Sequence, residues 1–149
     1  MSLTKQMLTQ GIKDKRKIIG KQQLYCVSFM KILPIKAEFG WINVNGVKYE
    51  KDIVIHSDRK ITKREKKKSK DLKLIYGHTP LSEHELNFLP EEKFEIIYVG
   101  IGHEAALPIT PKAHQILDKH NTVILPTPEI IKKIEHEQRK FVAIIHITC

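Results

Sequence analysis

A chain of 149 residues is long enough to bury one continuous core and short for two, and with 41% apolar and 29% charged residues it is too hydrophobic for a wholly disordered polymer. No apolar run reaches the ~18–20 residues a membrane helix needs, no signal-type apolar stretch follows the basic beginning, and Cys26 and Cys149, far apart and outside any CxxC spacing, write neither a disulfide framework nor a zinc ribbon. The net charge of +9 is uneven, with +7 in residues 1–36, another +7 in residues 59–73 and −5 in the remainder, so a basic tail and a basic loop sit on a mildly acidic body, unlike a nucleic-acid module whose folded face is basic.

The first 29 residues alternate short apolar pairs such as Ile18-Ile19 with lysines and sustain no helical or strand period. Residues 1–35 are therefore assigned to a basic N-terminal tail or extension, with Met30 as an alternative start, and residues 36–149 to one domain. A mitochondrial targeting segment is the sharper reading of the tail, because Asp14 is its only acid, but Arg and Ser are scarce there. A cytoplasmic setting is preferred, with mitochondrial as the alternative.

From Phe39 the pattern becomes regular. Phe39-Gly-Trp41-Ile42-Asn43-Val44 and Val47-Lys48-Tyr49 flank Asn45-Gly46, which predicts a hairpin with a type I′ turn. Asp52–His56 reads as a third strand closed by a turn at Ser57-Asp58, after which Lys60–Lys63 can pair briefly before the basic stretch. Ser82 with Glu85 has the spacing of a capping box opening a short helix, and Pro90 ends that segment. Phe94–Val99 is a near-continuous apolar run of the kind buried on both faces of a sheet, and it ends at Gly100-Ile101-Gly102. Thr110-Pro111 caps a helix to about His120, Thr122–Leu125 gives a strand, Thr127-Pro128 starts another helix, and Phe141–Ile147 is the last strand. Alternation of strand and helix is the α/β signature.

These landmarks also resemble a known family, the Mth-like domains of unknown function, which include an adipogenesis-associated protein and a mitochondrial complex I assembly factor. The resemblance covers about residues 37–149 and is carried by Phe39-Gly40, Lys51–His56, Thr62–Glu65, Val99–Gly102, Leu125-Pro126-Thr127 and Ile145–Cys149. It implies a three-layer α/β fold with a mixed central sheet, one strand antiparallel to its neighbours, and the hairpin region packed on one side. It implies no established catalytic residues.

Gly100-Ile101-Gly102-His103-Glu104-Ala105 is close to the dinucleotide fingerprint, in which glycines let a pyrophosphate approach the backbone. The match is partial, since Pro108 and the Thr110-Pro111 start delay the helix and no acid ends the next strand near Leu125. Gly100, Gly102, His103 and Glu104 nevertheless mark the candidate ligand site, at the carboxyl end of a strand where open α/β sheets place their pockets. The eight histidines lack metal spacing, with His78 and His84, and His114 and His120, each six apart and no HExxH present, so neither a metal nor a cofactor is called for. His146 and Thr148 share one face of the last strand and Cys149 points the other way; a catalytic cysteine needs a base that the sequence does not show.

Lys63, Arg64, Lys66, Lys67, Lys68 and Lys70 form the candidate basic interaction segment, open to phosphates, acidic partners or membrane head groups. It has no interleaved aromatics for stacking on bases, and nucleic acid is disfavoured. The preferred expectation is a noncatalytic interaction or assembly protein with a protein partner and no membrane span; the alternative is an enzyme or small-anion binder acting at the Gly100–Glu104 turn.

Overall fold

Five short strands open the described part of the chain, residues 32–149 of the computed structural model; the expectations for the tail up to residue 31, Cys26 included, lie outside the described residues. Strands β1 (Ile35–Glu38), β2 (Trp41–Val44) and β3 (Val47–Tyr49) form an antiparallel meander. Asn45 (φ 54) and Gly46 (φ 90) both take the positive φ that a type I′ turn requires, so the Asn-Gly reading holds.

Phe39-Gly40, expected inside the strand, is instead a turn between β1 and β2, with Gly40 at φ 91 and Glu38 paired to Trp41. The preceding β1 is a correction to the assigned boundary: Ile35 is buried in the core, and Leu33 N donates to Glu135 O at 3.0 Å. Residues 33–35 thus belong to the fold. Four residues with lysine and glutamate at alternate positions carried too little apolar signal to declare themselves.

The central sheet has the order β5-β4-β8-β6-β7, built from β4 (Ile53–Ile55), β5 (Ile61–Lys63), β6 (Ile96–Ile101), β7 (Thr122–Leu125) and β8 (Phe141–His146). Strands β8, β6 and β7 are parallel, and β4 runs antiparallel to both β8 and β5. This is the expected α/β arrangement, a mixed sheet with one strand opposed to its neighbours. The inner strands are buried on both faces, so alternate residues feed two cores. Ile53, Ile55, Ile96, Tyr98, Phe141, Ala143 and Ile145 pack with the meander and with the buried face of a helix at Thr127–Glu135. Val54, Ile97, Val99, Val142 and Ile144 pack on the other side with Leu81, Leu86, Leu89, and Ala113 and Leu117 of a helix at Pro111–Leu117.

The Lys-rich stretch is a 3-10 helix over Lys66–Leu72 that runs into a single turn, α1 (Lys73–Tyr76). The helix Pro111–Leu117 is α2, capped as expected by the Thr110 hydroxyl, which accepts from Ala113 N at 3.2 Å. It stops three residues before His120 because Lys119 N and His120 N turn to the carbonyls of Ile116 and Leu117. The helix Thr127–Glu135 is α3.

Candidate functional site

Because β4 opposes β8, the start of β4 meets the end of β8 at one sheet edge, and β5 returns to that same edge. Asp52, just before β4, therefore lies beside His146 and Ile147 at the end of β8, and beside Arg64, just after β5. The carboxyl end of β6, with Gly102, is at this edge too.

Arg64, grouped by sequence with the free lysines of the basic segment, is only 2% exposed and is corrected to a structural ion-pair residue. Its Nε donates to Glu85 Oε1 at 2.7 Å, Nη2 to Glu85 Oε2 at 3.0 Å and Pro80 O at 2.9 Å, and Nη1 to Asp52 Oδ2 at 3.0 Å. Burial disfavours the guanidinium, but Glu85 and Asp52 more than offset it, so Arg64 holds its proton more tightly than a free arginine. A buried charge needs such partners. Glu85 is thereby drawn away from the capping box. Ser82 still caps the 3-10 turn Glu83–Glu85 by accepting from His84 N at 3.3 Å, while the Glu85 carboxylate faces Arg64 and the buried Ser69 hydroxyl. Ser69, 2.6 Å from Ser82 Oγ, pins the middle of the Lys-rich 3-10 helix to the body.

Asp52 collects donors. Oδ1 accepts from Ile147 N at 2.9 Å, and Oδ2 from His146 Nδ1 at 2.7 Å and from Arg64, with Lys66 Nζ 3.6 Å away. Burial pushes the Asp52 carboxyl up, but the His146 hydrogen bond and charge, the Ile147 N–H and Lys66 pull it down to about 2. The ionised carboxylate accepts only, so His146 donates to it from Nδ1, and its Nε2 lies 3.2 Å from the Thr148 hydroxyl.

The order Asp52–His146–Thr148 is that of a carboxylate–imidazole–hydroxyl relay. The backbone donors around it are already used. Ile147 N serves Asp52, His103 N donates to Thr148 O at 2.7 Å, and Glu104 N and Ala106 N donate to Cys149 O at 3.1 and 2.9 Å. None of these four is free to hold an oxyanion.

Asp52 lines a cavity of about 650 Å³ together with Lys51, Lys63, Arg64, Lys66, Lys67 and Lys68, the carboxylates of Glu50 and Glu65, and Ile147 and Thr148. Sequence reading singled out the lysines but missed Asp52, Glu85 and the pairing with His146; the charged Lys51-Asp52 pair opening an otherwise apolar strand was the available signal. Lys70 does not line this cavity.

The candidate turn at Gly100–Glu104 is closed by the protein itself. A Cβ at Gly100 would come 2.9 Å from Thr127 Oγ1, and one at Gly102 (φ +103) 2.3 Å from the Cys149 backbone. Gly102 N donates to Thr127 Oγ1 at 2.9 Å, Thr127 N to Gly102 O at 3.0 Å, and the Thr127 hydroxyl to His146 O at 2.6 Å. The glycine geometry expected here is present, and it accommodates α3 and the last residues of the chain. Glu104 is exposed, and His103 lies against Phe39 with its Nε2 buried and without a hydrogen-bond partner among the described residues. No group of three or more potential metal ligands converges, and no helix is long and apolar enough to cross a membrane, among the described residues.

No family model and no curated protein matches the chain. Among solved structures it is similar to the conserved hypothetical protein PH1505 from Pyrococcus horikoshii OT3, at 28% identity and a TM-score of 0.68 over 78% of this chain and 99% of that one. It is also similar to MT938, at 34% identity and a TM-score of 0.63, covering 79% of this chain and 98% of that one.

Proposed function

The chain belongs to the family of MT938, and from that premise we propose that it is a noncatalytic interaction or assembly module that receives acidic side chains of a protein partner in the lysine-walled cavity. The observation that carries this reading is the cavity itself: Lys51, Lys63, Lys66, Lys67 and Lys68 line it with Ile147 and Thr148, and they outnumber the lining carboxylates of Glu50, Asp52 and Glu65, while Arg64 is matched by the Glu85 carboxylate. The resemblance to the Mth-like domains, which include a complex I assembly factor, supports it. So does the use of the Ile147, His103, Glu104 and Ala106 N–H groups beside Thr148 on Asp52 and on the carbonyls of Thr148 and Cys149.

A Glu-rich peptide labelled with a fluorophore is the probe. Titrated near physiological salt, it is expected to shift the amide resonances of Lys63, Lys66–Lys68, Ile147 and Thr148, and to lose affinity about tenfold or more when Lys63, Lys66, Lys67 and Lys68 are changed to Ser. Shifts confined to the Gly100–Glu104 turn, or ester hydrolysis abolished by Thr148→Val, would overturn the reading. A second reading, a small carboxylate or phosphate ligand, is favoured by the cavity volume, which suits a metabolite-sized group; citrate or inorganic phosphate displacing the peptide would support it.

A further inference from the structure

Helix α1, Lys73–Tyr76, has no buried residue. Leu74 is 96% exposed and Ile75 75%, the two most exposed large apolar side chains among the described residues. Single exposed aliphatics are ordinary. Two in succession, on a turn that buries nothing, contribute nothing to folding and keep apolar surface in water.

Their position follows from the local structure. Ser69, 1% exposed, anchors the preceding 3-10 helix through Ser82 and Glu85, and Gly77, at φ 79, ends α1 in the left-handed conformation with its N–H on Lys73 O at 2.8 Å. The turn between these fixed points carries Leu74 and Ile75 outward. The same segment carries Lys66, Lys67, Lys68, Lys70 and Lys73 against the single acid Asp71, and Lys70 and Lys73 lie outside the cavity.

From this geometry we propose that the Lys66–Tyr76 segment is a membrane-surface anchor, with Leu74 and Ile75 entering the headgroup boundary of an anionic bilayer and the lysines meeting its lipid phosphates and carboxylates. An apolar insertion combined with a basic patch is the pair of signals that peripheral attachment needs, and each lysine near an anionic leaflet strengthens binding about fivefold. A single helical turn falls far short of the ~800 Å² per partner of a stable protein interface. The chain outside residues 1–36 and 59–73 sums to −5, so an anionic surface repels the body and attracts this edge, which orients the molecule.

The full chain is tested against vesicles of phosphatidylcholine alone and vesicles with about a third phosphatidylserine. Because the lysines before residue 36 also attract anionic lipid, depth is the decisive readout. In a Trp41→Phe background, the indole of a Leu74→Trp variant is expected to shift to the blue on the anionic vesicles and to be quenched by lipids brominated in their acyl chains. Leu74→Asn with Ile75→Asn is expected to lower the bound fraction about tenfold with an unchanged melting temperature, since neither side chain is packed. An indole that keeps its aqueous emission while the protein sediments with vesicles would overturn the proposal, as would a Leu74→Asn/Ile75→Asn protein that binds like the parent. So would self-association abolished by the same pair of changes with no vesicle binding. Lys51→Ser with Lys63→Ser alters the cavity and leaves the Lys66–Tyr76 segment intact, so the failure of one reading is distinguishable from the failure of the other.

Discussion

The guanidinium of Arg64 and the carboxylate of Glu85 meet side by side, with Nε 2.7 Å from Oε1 and Nη2 3.0 Å from Oε2, both side chains almost wholly out of water. Removing one partner leaves a buried charge uncompensated, which costs about 3–5 kcal/mol. Arg64→Ala is expected to lose stability on that scale, measured as the shift in urea midpoint at constant slope. The Arg64→Met/Glu85→Leu double variant should lose less than the sum of its single changes. Strict additivity would show that the pair is not coupled.

Asp52 sets an acid limit. Its folded carboxyl sits at about 2 against 3.8 in an unfolded chain, so the folded state favours the ionised form, and the stability this brings is fully present above pH 3.8. It is lost as pH falls through about 2, a contribution on the order of 2 kcal/mol. Stability measured from pH 5 downward should fall less steeply in Asp52→Asn than in the parent, while Asp52→Asn is the less stable protein at pH 7. Parallel pH profiles would remove Asp52 from the account.

At the β6 turn the two glycines should differ. Gly102→Ala forces a Cβ to 2.3 Å from the Cys149 backbone at a φ of +103, whereas Gly100→Ala meets a threonine hydroxyl at 2.9 Å. The order of damage in thermal melts is expected to be Gly102→Ala, then Gly100→Ala, then His103→Ala, with the first costing about 3 kcal/mol or more. A His103→Ala protein less stable than Gly102→Ala would reverse the reading of this turn.

Tyr98 gives the alkaline counterpart. Burial and the hydrogen bond from its hydroxyl to Glu137 push its phenol up to about 12 from 10. The folded state therefore keeps a proton that the unfolded chain releases, and the stabilisation, complete below pH 10, is lost as pH rises through about 12. Tyr98→Phe should flatten the loss of stability above pH 10, followed by denaturant titration.

How much of this was legible beforehand differs by element. The Asn45-Gly46 turn and strands β4, β6, β7 and β8 declare themselves, because side-chain alternation, apolar runs and positive-φ residues are properties of a few consecutive residues. Strand β1 did not, since four residues with two charges leave no period to read. Ser82 and Glu85 had the spacing of a capping box, yet Glu85 answers to Arg64, 21 residues earlier. The lysines of residues 63–70 were visible as charge, but that Arg64 turns inward while its neighbours line a cavity depends on which carboxylates the fold brings beside it.

The α/β class, most strand and helix positions and the two basic segments can be read from short stretches of chain, because backbone geometry and amphipathic period are written over short distances. The site arises from long-range pairing. Asp52 and His146 are 94 residues apart and become hydrogen-bonded partners through strand pairing alone. Whether a charge ends in water or in a buried pair depends on desolvation weighed against partners met through space, and no local pattern encodes that balance.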